Sequence, residues 1–87
     1  MHFVYILQSL KDRDFYVGQT KEINQRLKKH NNGEVPSTRD RRPLKFQYAE
    51  ICNNIKDASH REKYLKTAWG KRYIKNRLKN DLMDPIR

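Results

Sequence analysis

From Phe3 to Gln8 the chain is apolar at every alternate position on both faces, with Phe3, Tyr5 and Leu7 on one side and Val4 and Ile6 on the other. A strand with that pattern is covered on both sides. "LKDRD" follows as a turn, and Phe15 to Gln19 reads as a second strand, which makes a β-hairpin. Thr20 then offers a helix N-cap, Glu22 sits in the first turn, and Gly33 stands where a helix would stop, so "KEINQRLKKHNN" reads as a helix. "VPSTRDRRP" is a loop with three basic charges and one acidic. "LKFQYAEI" alternates Leu44, Phe46 and Tyr48 as a third strand. Asp57 can cap a helix reaching Trp69, and Gly70 breaks or bends it before "KRYIKNRLKNDL". The order β-β-α-β-α-α predicts an α+β fold, a small three-stranded antiparallel sheet packed with helices.

The same periodicity picks out chemistry. At ~100° per residue, Ile23 and Leu27 define the first helix's apolar stripe, and Arg26 and His30 lie within roughly 60° of Ile23. The pair therefore flanks buried surface rather than facing water. On the second helix, Ala58, Leu65 and Trp69 make the stripe, and Glu62 falls inside it, about 40° from Ala58. A carboxylate there needs a partner, either a basic side chain or a metal. A single carboxylate completed by water and substrate phosphate suits Mg²⁺. In the hairpin, pairing Tyr5 with Gly18 puts Leu7 opposite Tyr16. Both tyrosines then share a face as diagonal neighbours, ~7–8 Å apart. Gly18 would leave that face open beside Tyr5, where a ligand backbone can approach.

Length and charge narrow the partners. The chain has 87 residues, enough for one domain spanning 1–87. Its 20 Lys and Arg against 10 Asp and Glu give a net charge of +10, which points to a polyanion. No apolar run is long enough to span a bilayer, and the helices lack the broad apolar face that lying on a membrane requires. "FVYIL" is too short, and lacks the basic leader, for a signal peptide. One cysteine, Cys52, makes neither an internal disulfide nor a zinc site, so a cytoplasmic location is expected. Arg39, Arg41, Arg42 and Lys45 cluster in and after the basic loop and are expected to contact phosphates.

In order and spacing these features resemble the GIY-YIG nuclease superfamily, in particular its small, stand-alone bacterial members. Phe3-Val4-Tyr5 stands at the first signature and Tyr16-Val17-Gly18 at the second. "QRLKKHN" resembles the family's arginine helix and "SHREKYLKTAWGKR" its glutamate helix. The resemblance covers nearly the whole chain, with two departures. Phe3 replaces the glycine of the first motif, and Gln19 stands where excision-repair members carry a lysine. It implies an endonuclease that hydrolyses phosphodiester bonds, DNA favoured, with one divalent metal, Mg²⁺ or Mn²⁺. Glu62 matches the metal ligand and Tyr5 the phenol that helps activate water, with Tyr16 beside it. Arg26 matches the cation at the scissile phosphate. His30 matches a residue that orients a tyrosine or relays a proton. Asn76, or else Asn80, matches the asparagine of the last helix. A catalytic domain of this size further implies low sequence specificity or a partner that supplies it. The rival is a basic nucleic-acid-binding module with this fold and little or no catalysis. The set Tyr5, Tyr16, Arg26, His30 and Glu62 separates the two, because a pure binder has no use for a carboxylate facing phosphate.

Overall fold

The structure is a computed structural model and describes residues 1–83. Strand β1 (His2–Ser9) lies between β2 (Phe15–Thr20) and β3 (Leu44–Cys52), both antiparallel to it. Helix α1 (Ile23–Asn31) follows β2, and α2 (Ile55–Leu65), α3 (Ala68–Arg77) and the short α4 (Lys79–Met83) follow β3. This is the expected α+β order, with α4 added. No helix among the described residues is long and apolar enough to cross a membrane.

The doubly apolar β1 is the centre of the sheet, with Val4, Tyr5, Ile6 and Leu7 all buried. Its two faces carry separate cores. Val4, Ile6 and Val17 pack against Ala58 and Leu65 of α2 and Ile74 of α3. Tyr5 and Leu7 pack with Leu44, Ile23 and Leu27, so α1 covers the opposite face. The two helical stripes thus do not come to one side of the sheet. They grip it from both sides, and residues of α1 and α2 can meet only around the exposed edge of β2.

Third-strand alternation breaks at one point. Ile6 pairs with Tyr48 and Leu7 with Phe46, so Gln47 is an extra residue in a bulge. The bulge moves Tyr48 onto the α2 face while Leu44 stays on the α1 face. There the Tyr48 hydroxyl donates to Glu50 (2.9 Å), whose carboxylate also takes a bidentate pair from Arg61 of α2 (2.8 and 2.9 Å). These bonds outweigh burial and hold the Glu50 carboxyl below its ordinary pKa.

The helix boundaries shift for identifiable reasons. α1 begins at Ile23, because the Thr20 hydroxyl accepts from the Glu22 amide in a turn rather than capping the helix. It ends at Asn31, just before Gly33, which takes φ +77°. α2 is capped by Asn54, which accepts from the Lys56 amide, and not by Asp57. It stops at Leu65, where Thr67 caps α3 by accepting from the Gly70 amide. Trp69 therefore leaves the stripe and is 67% exposed. Gly70 is a packing glycine inside α3, not a breaker, since a Cβ there would press on the Tyr64 carbonyl oxygen and lie 2.7 Å from the Leu65 carbonyl carbon.

The basic loop is folded. Ser9, fully buried, accepts from the Lys11 and Asp12 amides (3.1 Å each) and donates to the Arg41 carbonyl (2.6 Å). The Leu10 amide donates to the Pro43 carbonyl (2.9 Å) and Arg41 pairs with Asp12 (2.8 Å). Val35 and Thr38 are buried beneath. The hairpin turn thus carries the loop, and the loop presses Thr38 toward the end of α1.

Gly70→Ala sets helix propensity against packing. Alanine is better in a helix interior by ~1 kcal/mol, but backbone of α2 blocks the methyl and cannot swing aside. The variant is expected to lose about 1–3 kcal/mol, read from the urea midpoint. A raised midpoint would show that the α2–α3 corner has room.

Candidate active site

The pairing of Tyr5 with Gly18 and of Leu7 with Tyr16 follows from the alternation of the hairpin and is the observed register. It sets the two phenol rings side by side, centroids 6.3 Å apart. Gly18 does not leave that face open. The ring of Tyr5 lies across it, and a Cβ there would stand 2.9 Å from Cε1 and closer still to the hydroxyl. Glycine at this position makes room for the protein's own tyrosine, not for a ligand.

Helix α1 supplies the next two groups from the positions its stripe predicts. His30 Nε2 lies 2.8 Å from the Tyr5 hydroxyl, and Arg26 Nε donates to the same oxygen at 3.3 Å. His30 Nδ1 lies 2.7 Å from the Thr38 hydroxyl. His30 also packs edge-on against Tyr5 and Tyr16, with centroids at 5.7 and 5.0 Å. Tyr5, His30 and Thr38 are fully buried, while Arg26 stays partly exposed at the mouth.

Electrostatics fix the protonation of this row. Burial, and then the charge of Arg26, push the His30 imidazole down to about 4. It is neutral at pH 7, and both ring nitrogens are engaged. With Arg26 donating to the Tyr5 oxygen, the consistent arrangement has Tyr5 donating to Nε2 and Nδ1–H donating to Thr38. Burial pushes the Tyr5 phenol up, helped by Tyr16 and Glu62, while the Arg26 bond opposes the rise. Tyr5 is therefore an O–H group whose oxygen is held from two sides.

Glu62 approaches from α2, around the β2 edge. Its Oε1 accepts from Gln19 Nε2 (3.2 Å) and its Oε2 from Lys66 Nζ (3.0 Å) one helical turn on. Of the two partners named from the pattern, the basic side chain is the one seen: the half-buried carboxylate is paired to a lysine, and it lies close enough to raise the Tyr5 pKa. Gln19 and Lys66 went unsingled in this role. Lys66 brings a cation to the place where the departure at Gln19 removes one. The Gln19 Oε1 is buried without a partner. An oxygen left orphaned beside a carboxylate is the donor chemistry that a hard cation such as Mg²⁺ takes. No group of three or more His, Cys, Asp or Glu gathers among the described residues. Among the described residues, Glu62 is the carboxylate whose charge reaches Tyr5, and Gln19 Oε1 belongs to the amide bonded to it.

Other expected site residues fall elsewhere. Asn76 on α3 and Asn80 on α4 are exposed and bond to none of these groups. Of the basic cluster, Arg41 is tied to Asp12 and Lys45 to Asp81 (3.1 Å). Arg42 donates to the Arg39 carbonyl and covers Gly33, and Arg39 donates to the Gly33 carbonyl; both remain exposed. Thr38, the far end of the buried row, had no signal in the sequence beyond its place in a charged loop.

A family model described as the GIY-YIG catalytic domain matches residues 1–79. A UPF0213 protein of Clostridium perfringens is 43% identical over 67 residues, which cover 76% of this chain and 71% of that one. A UPF0213 protein of Staphylococcus saprophyticus is 39% identical over 67 residues, covering 76% and 80%, and one of Bacillus licheniformis is 41% identical over 66, covering 75% and 67%. No solved structure gives a significant match.

Two stability measurements test the buried row. Thr38→Val keeps the shape and strands His30 Nδ1, and is expected to cost ~1–3 kcal/mol. The pH dependence has a definite sign. The unfolded histidine titrates near ~6.5 and the folded one at about 4, so between these values the unfolded chain binds more protons. Stability is therefore full above pH ~6.5 and falls as pH drops toward 4. Urea midpoints across that window should slope in the wild type and flatten in His30→Gln. A wild type with a level profile would mean that His30 is not held neutral.

Proposed function

The chain belongs to the GIY-YIG catalytic-domain family and has its nuclease-type fold, and on that premise we propose that it is a metal-dependent endonuclease acting on nucleic acid, DNA favoured. One observation carries the reading: the hydroxyl of Tyr5 is held between Arg26 and a neutral His30, with a carboxylate across the strand edge. A structural tyrosine needs one hydrogen bond when buried. Two, one of them from a guanidinium open to solvent, are the fittings of a reactive oxygen.

Phosphodiester hydrolysis gathers negative charge on the phosphate oxygens and needs a base for water. Arg26 is the cation for that charge, since its guanidinium is partly exposed beside the phenol. Tyr5 is the base: its oxygen takes a proton from the attacking water as its own proton passes along the hydrogen bond to His30 Nε2, and the Arg26 bond, which works against the burial that raises the Tyr5 pKa, steadies the oxygen. His30 takes that proton only for the length of the step and carries none at rest, because its own pKa is low. Its other part is to fix the direction of the Tyr5 O–H, and Thr38 fixes His30 in turn. Tyr16 closes the pocket against both rings. Glu62, with Gln19 Oε1, would hold one Mg²⁺ or Mn²⁺, Lys66 giving way from its exposed position. When bound there, the ion supplies Lewis acidity and cancels the charge by which Glu62 raises Tyr5. Arg39 and Arg42 are the loop's phosphate contacts, being the two not paired to carboxylates.

The rival reading is a binder without catalysis. One observation favours it, that both Glu62 oxygens are already bonded within the protein. Glu62→Gln decides between them. The nuclease reading expects cleavage of plasmid, branched DNA or RNA in Mg²⁺ or Mn²⁺ to fall by about a hundredfold or more, with binding equal or tighter as a charge beside phosphate is removed. The protein should melt nearly as the wild type does, since the amide keeps the side chain's size and an i,i+4 pair with one exposed partner is worth little. A folded Glu62→Gln that still binds Mn²⁺ and cuts would end the mechanism. A wild type that binds and never cuts would leave the binder.

A salt series tests the footprint. Arg39→Ala/Arg42→Ala is expected to reduce the slope of log affinity against log salt by roughly 1.8 on duplex DNA, about 0.9 for each lost contact. Arg41→Ala should leave the slope nearly unchanged. Equal slopes for all three proteins would remove the loop from the interface.

A further inference from the structure

A second feature lies beside the reaction centre, on the α2 face. A cavity of about 200 Å³ is lined by Ile6, Phe15, Tyr16 and Val17 of the sheet and by Leu65 and Ile74 of the helices. Lys66 and Lys71, both exposed, complete its lining, and no carboxylate does. We propose that this cavity is a nucleobase subsite, which takes one unstacked base of the bound strand while Lys66 and Lys71 meet the adjoining phosphates. It deepens the nuclease reading and rests on it for the identity of the strand.

Size, surface and position all bear on the occupant. Pockets for drug-sized ligands run to ~300–1,000 Å³, so this one is of the class that admits a single planar heterocycle. Its interior is apolar, with Phe15 packed on this face beside it, and every base offers a π-face to such an aromatic ring. Its charged lining is only positive, which suits an apolar plane with a phosphate on either side and disfavours an apolar peptide or a cation. Two lining residues also belong to the reaction centre. Tyr16 packs on Tyr5 and His30, and Lys66 holds Glu62. The cavity is bordered by β2, the strand edge around which Glu62 reaches the phenols, so a strand with its phosphate at Arg26 and Tyr5 passes along that edge. Inside a duplex the base is paired and stacked, and freeing it costs a few kcal/mol, least where it is already unpaired. The cavity thereby favours strands with an unpaired nucleotide next to the cut.

The probe is adenosine 5′-monophosphate, with ribose 5-phosphate as the control that lacks the base. Methyl resonances of Leu65 and Ile74 report on the cavity, and those of Ile23 and Leu27 report on the other face of the sheet. The mononucleotide is expected to shift the Leu65 and Ile74 methyls saturably, and the sugar phosphate to leave them in place. Lys71→Ala should weaken the effect by about two- to fivefold, the contribution of one exposed ion pair, with the wild-type methyl spectrum preserved in its absence. Equal shifts from both compounds, or shifts confined to Ile23 and Leu27, would overturn the subsite. Because the titration needs no turnover, a protein that cuts nucleic acid without these shifts loses the subsite alone. One that shows them and never cuts keeps the subsite and loses the nuclease.

Discussion

The contact on which the rest of the site depends is the hydrogen bond between the Tyr5 hydroxyl and His30 Nε2, 2.8 Å long and wholly buried. Neither partner is tolerable there alone, since a buried phenol or imidazole without its bond costs what an unsatisfied polar group costs. The bond dictates what surrounds it. The Tyr5 ring must lie flat over its neighbour on β2, so that neighbour is Gly18. The imidazole must be neutral, so its second nitrogen needs a hydroxyl rather than a carboxylate, and Thr38 provides it. Thr38 must be held down, and the basic loop is held by Ser9 and by Asp12 in the hairpin turn. A chain of local requirements thus links both ends of the hairpin to α1.

A net charge of +10 does not act as one uniform field. Arg41 and Lys45 each spend their charge on a carboxylate of the chain, and Arg61 spends its charge on Glu50 while resting on the Tyr64 and Tyr73 rings (5.2 and 4.7 Å). Part of what remains is arranged by place: Arg26 at the phenol, Lys71 at the cavity, Arg39 and Arg42 on the loop. The architecture turns on the same economy, because α1 and α2 lie on opposite faces and can share a substrate only at the rim of β2.

Much of this was legible in the sequence, for physical reasons that differ from residue to residue. The hairpin register could be read because Tyr5, Leu7, Tyr16 and Gly18 alternate without interruption and a slip would bury the wrong face. Arg26 and His30 could be placed because helical period leaves little freedom beside Ile23 and Leu27. The bulge at Gln47 was illegible, since one added residue in a strand changes no composition and no local period. Gly70 misled because a glycine that admits a neighbouring backbone looks the same as one that ends a helix, and the real signal was Thr67. Asn54 and Asp57 are both good caps, and only the geometry of the chain leaving β3 selects between them. Thr38, Gln19 and Lys66 were hidden for a common reason, as each acts through a partner distant in sequence and nothing in its own neighbours announces that.

The span of those partners has a bearing on the protein's life before it is complete. The buried row joins residues 5, 30 and 38, and the bond from Gln19 adds residue 62. A nascent chain, or a proteolytic remnant ending before α2, therefore lacks Glu62 and the helices that cover one face of the sheet. Because the imidazole, the loop and the hairpin turn each rely on the others, the centre assembles with the fold or not at all. A basic chain that meets nucleic acid while still unfolded carries the charge to bind it but not yet the assembled row of Tyr5, His30 and Thr38.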